Sequence, residues 1–281
     1  MNRVRPPLLL FALLVAGSLL LPPRAAAYEH LLIVSIDALH PKALDAEVSP
    51  TLHGLMLEGR FTLEGRSVSP PKTLIAHTSL VTGLAPERNG KLDNDWRPGE
   101  PGVRVPTLFD DAKGLGYATA LYFSKTKLGY LAGPGVDEQA LAPEDGIALA
   151  EAFVREPGRR FVFLHISGLE YAGSRSGWLS EDYLDTLSSI DLALAPLLKA
   201  AREGGDYLIL VTSDHAGHDR EHGTNHPEDY RLPLILAASR DLPPLPSGPF
   251  PITAVRNLVK GLIEPAPAPG VASEGARPVS D

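Results

Sequence analysis

The sequence predicts an α/β fold: a doubly wound, mostly parallel central sheet with helices on both faces. Three observations lead there. Short, continuously apolar runs recur at Leu31–Ile36, Tyr117–Phe123, Phe161–Ile166 and Tyr207–Val211, the pattern of strands buried on both faces. Amphipathic helical patterns separate them, as parallel crossovers require. Two of the runs end in acids, at Asp37 and at Asp214-His215, and ligands in such sheets bind at the carboxyl ends of the strands.

Composition sets the outer bounds. The chain has 281 residues, 44% hydrophobic and 21% charged, a globular profile with room for one substantial core. Residues 1–27 read as a secretory signal peptide: Arg3 and Arg5, an apolar run from Leu8 to Leu21, then Ala25-Ala26-Ala27. That run is short for a membrane span, which needs ~20 apolar residues. No stable span is therefore expected after cleavage, and an uncleaved anchor is the alternative. The leader holds three arginines and no acids, so its removal takes the formal charge from −8 to −11. An acidic surface argues against nucleic acid or anionic membrane as the main partner. The absence of cysteine excludes disulfides and thiolate metal sites. An exported chain that relies on its core alone suits a bacterial periplasm.

In chain order, Leu31–Asp37 is the first strand. Ser49-Pro50-Thr51 opens a short helix to Glu58, stopped by Gly59, and Arg60–Val68 reads as an edge strand. Pro70-Pro71 lead into a helix that begins near Thr73 and ends at Gly83. Thr73 lies in its first turn, where backbone N–H groups and the helix dipole favour an anion; a first-turn Thr is most often a plain cap, and the acids it can meet across the sheet edge are what favour the other reading. Gly90–Gly102 is a loop carrying Asn94, followed by a helix over Pro106–Lys113 and the strand Tyr117–Phe123. Pro143–Glu156 is an amphipathic helix, and Phe161–Ile166 a strand with His165 near its end. Ser180 caps a long helix with apolar positions Leu184, Leu187, Leu194, Leu197 and Leu198. The strand Tyr207–Val211 follows, then a strand over Arg231–Ala237 and a helix over Ile252–Ile263. A main domain over 28–263 and a disordered, Pro/Ala-rich tail over 264–281 complete the layout. There is no internal repeat and no P-loop or Rossmann glycine pattern.

Chemistry concentrates after the Tyr207–Val211 strand. Four of the nine histidines, His215, His218, His222 and His226, fall within twelve residues there. Asp oxygens and neutral imidazoles are the ligands zinc takes when no thiolate is present; a polar loop with incidental histidines is the alternative. Asp37, which alone reads first as a turn or helix cap, adds a carboxylate at the same sheet edge when set beside Ser213-Asp214-His215.

Val34-Ser35-Ile36-Asp37, Pro71-Lys72-Thr73 with Leu80-Val81-Thr82-Gly83, and Thr212-Ser213-Asp214-His215 together resemble the alkaline phosphatase superfamily, in its type I phosphodiesterase/nucleotide pyrophosphatase branch. The resemblance runs from about residue 30 to 263. It implies attack on a phosphorus ester by a Thr oxygen at a two-metal site. Asp37, Asp214 and His215 match the ligands of the metal that holds the nucleophile, and Thr73 matches the nucleophile. Asn94 matches a residue that contacts the phosphoryl group, while also reading as a turn Asn in Asp93-Asn94-Asp95.

The second metal set departs from the family. Glu170 stands where the resemblance implies Asp, and Ser174 where it implies His. The later His is His222, with His226 the alternative. Three outcomes stay open: His218 or His226 substitutes, one metal suffices, or catalysis is lost. A sulfatase is disfavoured because the nucleophile segment lacks its Cys/Ser-x-Pro-x-Arg block. A phosphoglycerate mutase would need an inserted domain. Two functions remain: a metal-dependent phosphoric ester hydrolase, diesters ahead of monoesters, or a silent member that binds a metal or a small phosphorylated ligand.

Overall fold

The computed structural model describes residues 28–264. The leader at 1–27 and the tail beyond 264 lie outside the described residues. In chain order the strands are β1 (His30–Ile36), β2 (Arg60–Arg66), β3 (Ala118–Phe123), β4 (Glu138–Leu141), β5 (Arg160–Ile166), β6 (Tyr207–Thr212), β7 (Arg231–Ala238) and β8 (Phe250–Pro251). The helices are α1 (Pro50–Glu58), α2 (Thr73–Thr82), α3 (Pro86–Asn89), α4 (Leu108–Gly114), α5 (Gly146–Val154), α6 (Gly168–Ser176), α7 (Glu181–Glu203) and α8 (Val255–Ile263).

The strands form one sheet in the order β4-β3-β5-β1-β6-β7-β2-β8. Five of the seven pairings are parallel, so the expected α/β class holds. Alternation along β1 shows why both faces are covered. Leu32, Val34 and Ile36 enter one core, packed with side chains from α1, α5 and α7. Leu31 and Ile33 enter the opposite core, with α2, α4 and α8.

The exceptions to parallel pairing are β6 with β7 and β7 with β2. The reason is local. Residues 213–230 carry no crossover α-helix, so the chain returns beside β6 in the opposite direction. This keeps the histidine-rich loop at the edge where β6 ends. The strand over Arg60–Val68, expected at the edge, lies one place in, with only the two-residue β8 outside it. The short β4, β8 and α3 have no expected counterpart, because each is too brief for its period to stand out; α6 has none either, because its buried face is only Leu169, Ala172 and Gly173.

Helix α1 is capped from a distance. Its N-cap Ser49 makes no side-chain cap bond. Instead Thr51 and Leu52 donate their amides to Asp191 Oδ2 and Oδ1 on α7, at 2.9 and 2.8 Å. Asp191 is buried, so Asp191→Ala strands two amides. Urea unfolding should show a loss of about 2–3 kcal/mol.

Candidate active site

The parallel strands deliver polar side chains to one edge of the sheet. Asp37 follows β1, Asp214 and His215 follow β6, and His165 is the penultimate residue of β5. Lys125 lies two residues past β3. Thr73 is the first residue of α2, whose other end closes at Gly83, a left-handed position with φ 68°. The Asn94 side-chain oxygen accepts from the amide of Leu74 at 2.8 Å, so Asn94 caps α2 beside Thr73.

Asp37, Asp214 and His215 converge in a fully buried cluster. His215 Nε2 lies 3.5 Å from Asp37 Oδ1 and 3.4 Å from Asp214 Oδ2. Its Nδ1 lies 2.8 Å from the Ala216 carbonyl and so carries a proton, which leaves the Nε2 lone pair for the carboxylates to face. Four buried side-chain atoms among the described residues lack a hydrogen-bond partner, and three are Asp37 Oδ1, Asp214 Oδ2 and His215 Nε2. Orphaned buried polar atoms are costly and call for an explanation. With His215 neutral, all three are acceptors turned toward one another, the arrangement that a divalent cation satisfies. The backbone carbonyl on the far side of His215 is the usual second partner of a metal-binding imidazole.

The surrounding residues tune these groups. Burial pushes the Asp37 carboxyl up, but the Lys125 ammonium, helped by His165 and His215, holds it well below the usual carboxylate range. Burial lowers His215, yet Asp214 and Asp37 outweigh it and raise its pKa above the ordinary value. Behind the cluster, His165 accepts from the Ser124 amide at Nδ1, so its Nε2–H donates to Asp37 Oδ2 at 3.0 Å. His77, one turn along α2 from Thr73, donates from Nδ1 to the Thr73 carbonyl at 2.7 Å and meets Ser35 Oγ at 2.8 Å through Nε2. Burial, opposed by Asp214, lowers His77 to about 4. It is a neutral brace for the first turn of α2 at physiological pH.

Thr73 meets this cluster through Lys125. The Lys125 ammonium donates to Thr73 Oγ1 at 3.2 Å, pairs with Asp37 Oδ2 at 2.5 Å, and contacts Glu170 Oε2. Glu170, on α6, also meets His222 at 2.8 Å through Oε1. His222 in turn stacks on His215, with ring centroids 5.0 Å apart and planes 6° apart. The structure thus brings together Asp37, Thr73, Asp214, His215, Glu170 and His222, with Asn94 alongside.

His226 goes elsewhere. It stacks on His218 at 3.8 Å, and His218 Nδ1 pairs with Asp229 Oδ1 at 2.7 Å. Ser174 is exposed and lines an open cleft of about 500 Å³ with Ser124, Lys125, Thr126, Lys127, Glu170 and Tyr171. Three residues had not been assigned to the site: His77, His165 and Lys125. A lysine just past the end of an apolar strand was a usable signal for the last. The partners of the histidines depend on contacts between distant segments.

The sequence matches the type I phosphodiesterase/nucleotide pyrophosphatase family over residues 31–113 and 135–230. These stretches include every site residue above except Lys125, which falls between them. The search of curated proteins finds no match. Among solved structures, the C-terminal periplasmic domain of EcEptC from Escherichia coli, in complex with Zn, is similar at 13% identity and TM-score 0.63, covering 84% of this chain and 82% of that one. The lipoteichoic acid synthase LtaP of Listeria monocytogenes aligns at 17% identity and TM-score 0.65, covering 85% and 72%. Phosphonoacetate hydrolase from Sinorhizobium meliloti aligns at 21% identity and TM-score 0.52, covering 69% and 57%. At such identities these likenesses concern the fold alone. The family match spans more than half of the chain and carries the residues that meet at this sheet edge, so the protein belongs to the type I phosphodiesterase/nucleotide pyrophosphatase family.

Proposed function

We propose that the protein is a metal-dependent hydrolase of phosphoric esters, diesters ahead of monoesters, with Thr73 as nucleophile. The observation that carries this is the set of three orphaned acceptors, on Asp37, Asp214 and His215, gathered close to the helix that begins with Thr73. These residues would hold the ion, and a set of oxygens and one imidazole without thiolate suits zinc. A bound divalent ion supplies positive charge that makes an alcohol oxygen a competent nucleophile near neutral pH.

The chain's own groups do the rest. Thr73 Oγ1 forms a bond to phosphorus as the bond to the leaving alcohol breaks; the Thr proton passes to solvent, and the leaving oxygen takes one up. Water then attacks phosphorus, and Thr73 Oγ1 departs and recovers its proton. Lys125 donates to that oxygen in both halves, while Asn94 and His77 brace the first turn of α2 on which Thr73 rides. Comparing the purified protein with and without chelator on a chromogenic diester and monoester tests the reading.

The ion must displace a proton from His215, which dictates the pH dependence. Because the folded pKa of His215 is raised, its protonated contacts stabilise the metal-free chain fully below the unfolded value, about 6.5. That stabilisation is lost as pH rises through the folded pKa. Zinc affinity should therefore climb by up to about tenfold per pH unit over the same window. Thermal shifts on adding zinc should be larger at pH 8 than at pH 6, and equal shifts would contradict this ligand.

Export to the bacterial periplasm belongs to the same proposal. It is supported by the basic start, apolar run and Ala25-Ala26-Ala27 of the leader. Among the described residues, no helix is long and apolar enough to cross a membrane. Mass spectrometry of the mature protein is expected to find an amino terminus near Tyr28; an intact, membrane-embedded Met1 form would overturn it.

A further inference from the structure

We propose that Lys125 takes the place of the second metal ion, so that the site works with one divalent cation and one built-in ammonium. The inference rests on the function proposed above and specifies how its charge is supplied. Glu170 and Ser174 stand at two positions where the family resemblance implies metal ligands, and Ser174 is exposed. Glu170 has neither oxygen free: Oε2 contacts Lys125, and Oε1 meets His222 Nε2. His215, which with Glu170 and His222 forms another cluster able to hold an ion, points its Nε2 at Asp37 and Asp214. Glu170 is thus engaged by Lys125 and His215 by the first set, which leaves His222 Nε2 facing only Glu170 Oε1.

Lys125 also touches what a second cation would need to serve. It bridges Asp37 and Glu170 and reaches the nucleophile oxygen of Thr73. Charge balance gives the same answer. Asp37, Asp214 and Glu170 carry three negative charges, which one divalent ion and one ammonium match. A second divalent ion would leave an excess of two, facing the ammonium at close range. Lys125 lies in the segment 114–134 that the family match leaves out. The cationic partner therefore comes from outside the residues that the family match covers.

Native mass spectrometry during zinc titration, paired with diester turnover, tests this. The parent protein and Lys125→Met are compared, both carrying His226→Ala so that the His218–His226 pair contributes no counted ion. The parent is expected to saturate at one zinc. Lys125→Met is expected to admit a second and to lose about 100-fold or more in kcat, the scale of losing one charge-stabilising donor. Lys125→Arg should keep one ion and recover part of the rate. Lys125→Gln replaces the Met variant if thermal unfolding shows that it does not fold. Two tightly held ions in the parent, or unchanged turnover with one ion in the Met variant, would overturn the assignment of Lys125 while leaving Thr73 standing. No zinc bound to the parent would instead overturn the metal-dependent function itself.

Discussion

Thr73→Ala is expected to lower turnover of a phosphodiester by roughly 10⁴-fold or more, the scale seen when a nucleophile is removed. Thr73→Ser, which keeps the oxygen, should retain measurable activity. The loss is chemical, because the structure does not lean on the hydroxyl. Asn94 caps the next amide, and His77 holds the Thr73 carbonyl rather than its side chain. Among the described residues, the one hydrogen bond to Thr73 Oγ1 comes from Lys125. Stability of the Ala variant should stay within about 1–2 kcal/mol of the parent, read by urea unfolding. Equal activity in the parent and Ala proteins would remove Thr73 from the reaction.

Asp214 separates metal binding from folding. Its Oδ2 is an orphaned acceptor, whereas Oδ1 receives the Ala38 amide at 3.2 Å and is near Ser213 Oγ at 3.4 Å. Asp214→Asn keeps an oxygen for the Ala38 amide but removes the charge that draws the ion. It should abolish the zinc-induced thermal shift and reduce turnover by roughly 10²–10³-fold, in line with loss of one charge-stabilising group. Asp214→Ala should also destabilise the protein by about 1–3 kcal/mol, since a buried amide loses its partner. An Asn variant that still binds zinc as tightly as the parent would move the metal away from this cluster.

Much of this architecture is legible in the sequence because burial on both faces writes itself plainly. β1, β5 and β6 are continuous apolar runs, and the acids that end two of them mark the functional edge before any coordinates are known. Thr73 is legible for a related reason: Pro70-Pro71 and Gly83 bracket its helix. What stays hidden depends on contacts between distant segments. The reversed direction of β7 follows from what the 213–230 loop lacks, and β4 and β8 are too short to show a period. His222 and His226 look alike in sequence. Only the fold sends one to Glu170 and the other onto His218. Lys125 shows its place just past β3, but not its three partners, which follow β1 or lie on α2 and α6, because charge composition assigns no lysine to a given carboxylate.

The central claim is that Thr73 carries the phosphoryl group between two half-reactions. Rapid-quench turnover of a chromogenic diester, with acid-quenched protein mapped by peptide mass spectrometry, tests it most directly. The expected result is a burst approaching one leaving group per chain, followed by slower turnover, with the phosphoryl group, still esterified to the second alcohol, on the peptide containing Thr73. Linear release from the first turnover, with Thr73 unmodified at every quench time, would contradict the account. Zinc bound without any release would point instead to a silent, metal-binding member of the family.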